Sequence, residues 1–183
     1  TTAEGAALVS MVSQLTIGKK KYVDVTETMQ NILEKAESLR SRLLEAVDED
    51  ANAFNKVMDA FRLPKSTEEE IQTRDNAIQK AYMVAADVPM KICYWAHEVM
   101  KLALKSAEIG NINTMSDAAS GFLFAKAGFL SASLNVRTNT IAIHDTAFNQ
   151  DLLEQLRILE EQGNVLEKEL WVLLKERGGF PIF

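Results

Sequence analysis

Residues 25–62 form one apolar-periodic stretch with no glycine or proline inside it. A segment that keeps a helical period for so long must bury one face along its length, and helices packed side by side are the arrangement that does so. The rest of the chain agrees. Only 8 Gly and 3 Pro punctuate 183 residues, and no stretch alternates as a strand would. The expectation is an all-α fold, a bundle of long up-and-down helices.

The breakers set the helix boundaries. A first helix is expected over residues 3–18, ending at Gly18-Lys19-Lys20-Lys21. The second stops at Leu63-Pro64, because proline disfavours helix in the residue before it. Ser66, with Glu69 three residues on, reads as a capping box opening a helix that runs towards Ala86. Pro89 should kink or restart that helix before residues 90–109, and Gly110-Asn111 should end it. Ser116-Asp117 reads as the cap and first turn of a helix over residues 118–135. The last helix, 146–176, is closed by Gly178-Gly179. Residues 118–135 are crowded with Gly, Ala and Ser, as expected of a packed central helix or a subunit interface. A homodimer of C2 symmetry is expected, the alternative being a single monomeric bundle.

The length suits one domain over residues 1–183. A net charge of -6 argues against a nucleic-acid partner, so an anionic ligand would need a local basic patch. The single cysteine, Cys93, cannot form an internal disulfide, and no signal peptide or membrane span is visible. A cytoplasmic protein without a membrane partner is the expectation.

Among the acids, Asp50 stands out. Wound at about 100° per residue, Ile32, Ala36, Leu39, Leu43, Ala46, Val47, Phe54, Val57 and Phe61 share its arc, while Asp48 is marginal and Glu49 lies opposite. An ionised group among apolar residues costs several kcal/mol, at order of magnitude, unless it is paired or lines a wet cleft. Asp50 is therefore the first candidate for chemistry, against a core or interface Asp satisfied by an Arg or Lys. Phe54, four residues on, could stack on an aromatic ligand or simply pack in the core. Asn135 and Asn139, spaced i, i+4, could face one ligand or one neighbouring helix. Lys19, Lys20 and Lys21 could meet an anion or complement a helix C-terminus, and Ser116 and Asp117 could bind ligand or only cap a helix. Cys93, His97 and His144 are too thin a set for zinc, and no metal is expected. There is no dinucleotide or Walker-type glycine loop.

Five segments in order resemble a known family. They are Met11-Val12 through Leu15-Thr16-Ile17-Gly18-Lys19-Lys20-Lys21-Tyr22; Asp48 to Phe54; Leu63-Pro64-Lys65 with Thr67-Glu68-Glu69; Val88-Pro89; and Gly110-Asn111 with Ser116-Asp117 and Asn135-Val136-Arg137-Thr138-Asn139. Together they resemble the folate-dependent cyclodeaminase and cyclohydrolase family, over nearly the whole chain. The resemblance implies an all-α homodimer acting on the one-carbon unit at N5 and N10 of tetrahydrofolate. The expected activity is conversion of 5-formiminotetrahydrofolate to 5,10-methenyltetrahydrofolate and ammonia. The alternatives are the 5,10-methenyltetrahydrofolate cyclohydrolase reaction, giving 10-formyltetrahydrofolate, and, from another class, a non-catalytic helical interaction protein.

The resemblance also implies that Asp50 is catalytic, the position also reached from the helical face. Lys19, Lys20 and Lys21 would meet the glutamate tail of a folate, including polyglutamylated forms, and Ser116, Asp117, Asn135, Asn139 and Phe54 would contact substrate. A formiminotransferase is an implied partner. The family's glycine-rich stretch has no counterpart in this sequence, and the expectation is that it lies upstream of Thr1.

Overall fold

The computed structural model describes residues 1–181, and among them there is helix but no strand. Five helices follow in order: α1 (Thr2–Gln14), α2 (Thr26–Phe61), α3 (Glu68–Ile109), α4 (Met115–Thr140) and α5 (Thr146–Glu176). Two short 3-10 turns, Lys20–Val25 and Ile112–Thr114, join the first and third pairs of neighbours. None of these helices is long and apolar enough to cross a membrane.

Several boundaries differ from expectation for local reasons. α1 ends at Gln14, and Gly18 follows with φ of 78°, so the three lysines begin a separate 3-10 turn instead of finishing a helix. The capping box lies one residue later than expected. Thr67 accepts from the Glu70 N–H at 3.2 Å, and the Glu70 carboxylate accepts from the Thr67 N–H at 3.1 Å. Ser116 and Asp117 are inside α4, not its cap, because Thr114 precedes the first turn. α4 also runs on to Thr140, five residues beyond the expected end at Asn135. Pro89 neither ends nor restarts α3, which passes through it.

α4 is the central helix that its small residues promised. It runs antiparallel to α1 at close range, since a Cβ on Gly5 would stand 2.6 Å from the Gly121 carbonyl oxygen. Near the start of α1, a Cβ on Gly128 would run into the Thr2 hydroxyl. One core joins α1 to the first half of α2, with Val9, Val12, Met29, Ile32, Leu39 and Leu43 against Met100 and Phe122. A second joins α3, α4 and α5 through Cys93, Phe129, Val136 and Leu156.

The far half of α2 packs differently. Ala53, Val57 and Ala60 lie on Ile78, Ala81, Ala85 and Val88 of α3, forming a thin third core. With 13 residues, α1 covers only the first half of the 36-residue α2. Val47, Phe54 and Phe61, which the helical wheel puts on the buried arc, are therefore exposed. Asp50 is exposed with them, not partly buried as its sequence position suggests.

Candidate functional site

Beyond the start of α1, the uncovered part of α2 and the last turns of α4 form the walls of a cleft of about 360 Å³. Asp50, Phe54, Met58 and Phe61 come from α2, Tyr82 and Ala85 from α3, and Asn135, Thr138 and Asn139 from α4. Four of the expected site residues thus meet in one place: Asp50, Phe54, Asn135 and Asn139.

The chemistry of the cleft follows from what its groups lack. Among the described residues, no Lys or Arg comes within ion-pair distance of Asp50. The cation on the adjoining part of α3, Lys91, feels Glu49 across the gap but is bound to Asp87 at 2.8 Å, which raises its pKa. A carboxylate left unpaired beside aromatic walls is available to a cationic ligand and to a mobile proton. Phe54 is 62% exposed, too open for a core residue, and presents its ring to the cleft. Phe61 and Tyr82 stack edge to face, with ring centres 6.2 Å apart. Arg74 lies over the Phe61 ring at 5.5 Å and donates to the Phe61 carbonyl, holding it in place.

Met58, Phe61, Tyr82 and Thr138 were not expected as site residues from the sequence. Met58 was legible in principle, since Asp50, Phe54 and Met58 repeat at i, i+4, i+8. Tyr82 was not, because it enters from another helix.

The other expected residues lie elsewhere. Lys19, Lys20 and Lys21 sit beside the α3–α4 junction, where Tyr22 accepts from the Ile112 N–H at 2.9 Å. Ser116 and Asp117 open α4 at that same end. Along α4, the rise from Ser116 to Asn135 is roughly 30 Å at 1.5 Å per residue. Within one chain, the lysines and the Asp50 cleft are therefore at opposite ends of the molecule.

Cys93 and His97, one helical turn apart on α3, do not form a reactive pair. The Cys93 thiol is buried, donates weakly to the Phe129 carbonyl at 3.7 Å, and is pushed up to about 12 by desolvation. His97 is buried too, its Nε2 has no partner among the described residues, and desolvation lowers its pKa. No group of three His, Cys, Asp or Glu side chains gathers among the described residues.

An all-helical frame with a lone carboxylate, two amides and three aromatic rings around a cleft has the chemistry to take a flat, polar ligand. Comparison with known proteins specifies it further. The profile of the formiminotransferase-cyclodeaminase family matches residues 1–158. A methenyltetrahydrofolate cyclohydrolase of Methylorubrum extorquens is 44% identical over 175 residues, covering 96% of this chain and 84% of that protein. The formimidoyltransferase-cyclodeaminase of Gallus gallus is 32% identical; the match covers 88% of this chain but only 30% of that longer protein. The crystal structure of a formiminotetrahydrofolate cyclodeaminase from Thermotoga maritima superposes with a TM-score of 0.85 at 32% identity, covering 95% of this chain and 83% of that one. The chain belongs to the formiminotransferase-cyclodeaminase family.

Proposed function

We propose that this folate one-carbon enzyme hydrolyses 5,10-methenyltetrahydrofolate to 10-formyltetrahydrofolate, with Asp50 as its acid–base group. The observation that carries the reading is the unpaired Asp50 carboxylate in a cleft walled by rings and amides. The methenyl bridge spreads a positive charge over N5, the bridging carbon and N10. Asp50 stabilises that cation and takes the proton of the water that adds to the bridging carbon. When the bond from that carbon to N5 breaks, the same proton passes to N5, while the new hydroxyl gives up its own proton to Asp50 and from there to solvent, leaving the formyl group on N10. Phe54, Phe61 and Tyr82 offer faces for the ring system, and Asn135 and Asn139 offer hydrogen bonds for its polar edge. The 44% identical relative, matched over most of its length, favours this reaction.

The cyclodeaminase reaction is the second reading, favoured by the close superposition on the Thermotoga maritima enzyme. In it Asp50 would take the N10 proton as N10 closes on the formimino carbon, then deliver it to the departing ammonia. One carboxylate serves both because both pass through the same bridged cation.

The reading includes a homodimer. Leu130, Leu134 and Ile141 of α4 and Val47 of α2 are exposed apolar residues that a second copy would cover. Antiparallel pairing would bring Lys19, Lys20, Lys21, Ser116 and Asp117 of one copy towards the Asp50 cleft of the other. The lysines would then read the glutamate tail. Relatives that carry a formiminotransferase make such an enzyme the natural donor of a formimino substrate.

The test offers each folate separately to the purified full-length protein. Loss of methenyl absorbance well above the spontaneous rate supports the cyclohydrolase. Ammonia release with rising methenyl absorbance from 5-formiminotetrahydrofolate moves the assignment to the cyclodeaminase. Neither signal leaves the non-catalytic helical protein.

A further inference from the structure

Pro89 has no N–H, so the Ala85 carbonyl four residues before it lacks its helical donor. Both residues are buried in α3. The missing hydrogen bond comes from another helix: Asn139 of α4 donates its side-chain Nδ2 to the Ala85 oxygen at 2.8 Å. This contact fixes which way the amide faces. Oxygen against oxygen would repel, so the nitrogen must point at Ala85, and the amide cannot turn over without leaving that carbonyl unpaired.

The other half of the amide is uncommitted. Among the described residues nothing donates to Asn139 Oδ1, and Asn139 lines the same cleft as Asp50. The side chain of Asn135, one turn earlier, has no hydrogen bond to the protein among the described residues and can present either end to a ligand. We infer that Pro89, acting through the Ala85 carbonyl, fixes the orientation of the Asn139 amide, with Nδ2 held on Ala85 and Oδ1 left as an acceptor for an N–H edge of the substrate. The inference rests on the folate reading of the site, since a reduced pterin presents ring and amino N–H groups beside a carbonyl. It gives Pro89, which touches no substrate, a positioning role, and Asn139 a binding role with a fixed orientation.

The test separates the staple from the acceptor. Asn139→Ala removes both, so its melting temperature should fall and its KM should rise. Pro89→Ala restores an N–H at position 89 that can bond Ala85 within α3. In the double variant, Pro89→Ala with Asn139→Ala, the melting temperature should therefore return to that of Pro89→Ala alone. KM should stay about tenfold above that of Pro89→Ala, with kcat within about twofold of it, as expected for a lost binding hydrogen bond. Recovery of KM together with stability would show that Asn139 is only a staple and would overturn the inference. So would a double variant that stays as unstable as Asn139→Ala, because Pro89 would then not be the reason for the staple. If wild-type protein turns over neither folate, the reading of the site falls and takes this inference with it; an active wild type that fails the comparison removes the inference alone.

Discussion

The two ends of the helical frame treat their polar groups in opposite ways. At the end where α3 turns into α4, side chains are committed to holding the backbone of the joint. Thr16 accepts from the Asn111 N–H at 2.9 Å, Asn111 Nδ2 donates to the Leu15 carbonyl at 3.0 Å, and Arg177 donates to the Ala107 and Gly110 carbonyls, each at 2.6 Å. Helix ends leave carbonyls without donors, and a guanidinium from the last turn after α5 closes two of them. At the Asp50 end, the carboxylate, Asn135 and one half of Asn139 are without partners among the described residues. The first pattern holds helices together. The second leaves groups free for a ligand.

The contrast is broken or sharpened most strongly at Asp50. Asp50→Asn should lower kcat about 10²- to 10⁴-fold, the usual weight of an acid–base group, while the melting temperature moves by no more than about 2 °C. A large fall in melting temperature with kcat retained would make the cleft end structural after all. Arg177→Ala should do the reverse. Losing two charge-assisted bonds at a half-buried helix end should cost about 1–2 kcal/mol and lower the melting temperature by about 3–6 °C, with kcat unchanged. Kinetics and calorimetry on the two variants give the crossed pattern or refute it.

A smaller effect asks whether the two ends meet in a dimer. Replacing Lys19 and Lys21 by Ala should raise KM for polyglutamylated folate by about fivefold, and less for the monoglutamate, as befits exposed charges. Equal changes for both substrates would remove the lysines from the tail site. The smallest effect concerns His97. Its pKa is lowered in the folded state, so the unfolded chain binds the extra proton as pH falls through about 6.5, and stability falls with it. His97→Gln should flatten that decline in melts between about pH 7 and 5; an unchanged slope would assign it to other groups.

The helices were legible because their signals are local. The long period of α2, Leu63-Pro64 and the start of α5 at Thr146 all lie within a few residues of the features they specify. The capping box slipped by one because Ser66-x-x-Glu69 and Thr67-x-x-Glu70 are both valid patterns, and only the chain's exit from Pro64 chooses between them. The expected restart at Pro89 does not occur, and the residue that bonds the carbonyl Pro89 leaves without a donor, Asn139, is 50 positions away. The site was half legible for the same reason. Asp50 and Phe54 share a face of one helix, and Asn135 and Asn139 share another, but that those faces oppose one another depends on where α1 ends. The resemblance carried the lysines and Ser116-Asp117 into one list with Asp50, although the fold sets them at the far end of the chain. Several matched segments, Leu15 to Tyr22 and Gly110-Asn111 among them, turn out to make the joint between α1 and the α3–α4 turn.

The sealed Cys93 has a practical consequence. With its thiol pushed up to about 12 and enclosed between α3 and α4, the native chain should stay dark to maleimide reagents at neutral pH. A thiol introduced on the surface, for instance by Lys20→Cys, would then be the sole attachment point for a spin label or fluorophore. The span of roughly 30 Å between the two ends would become a ruler, able to report in solution how two labelled copies lie against each other.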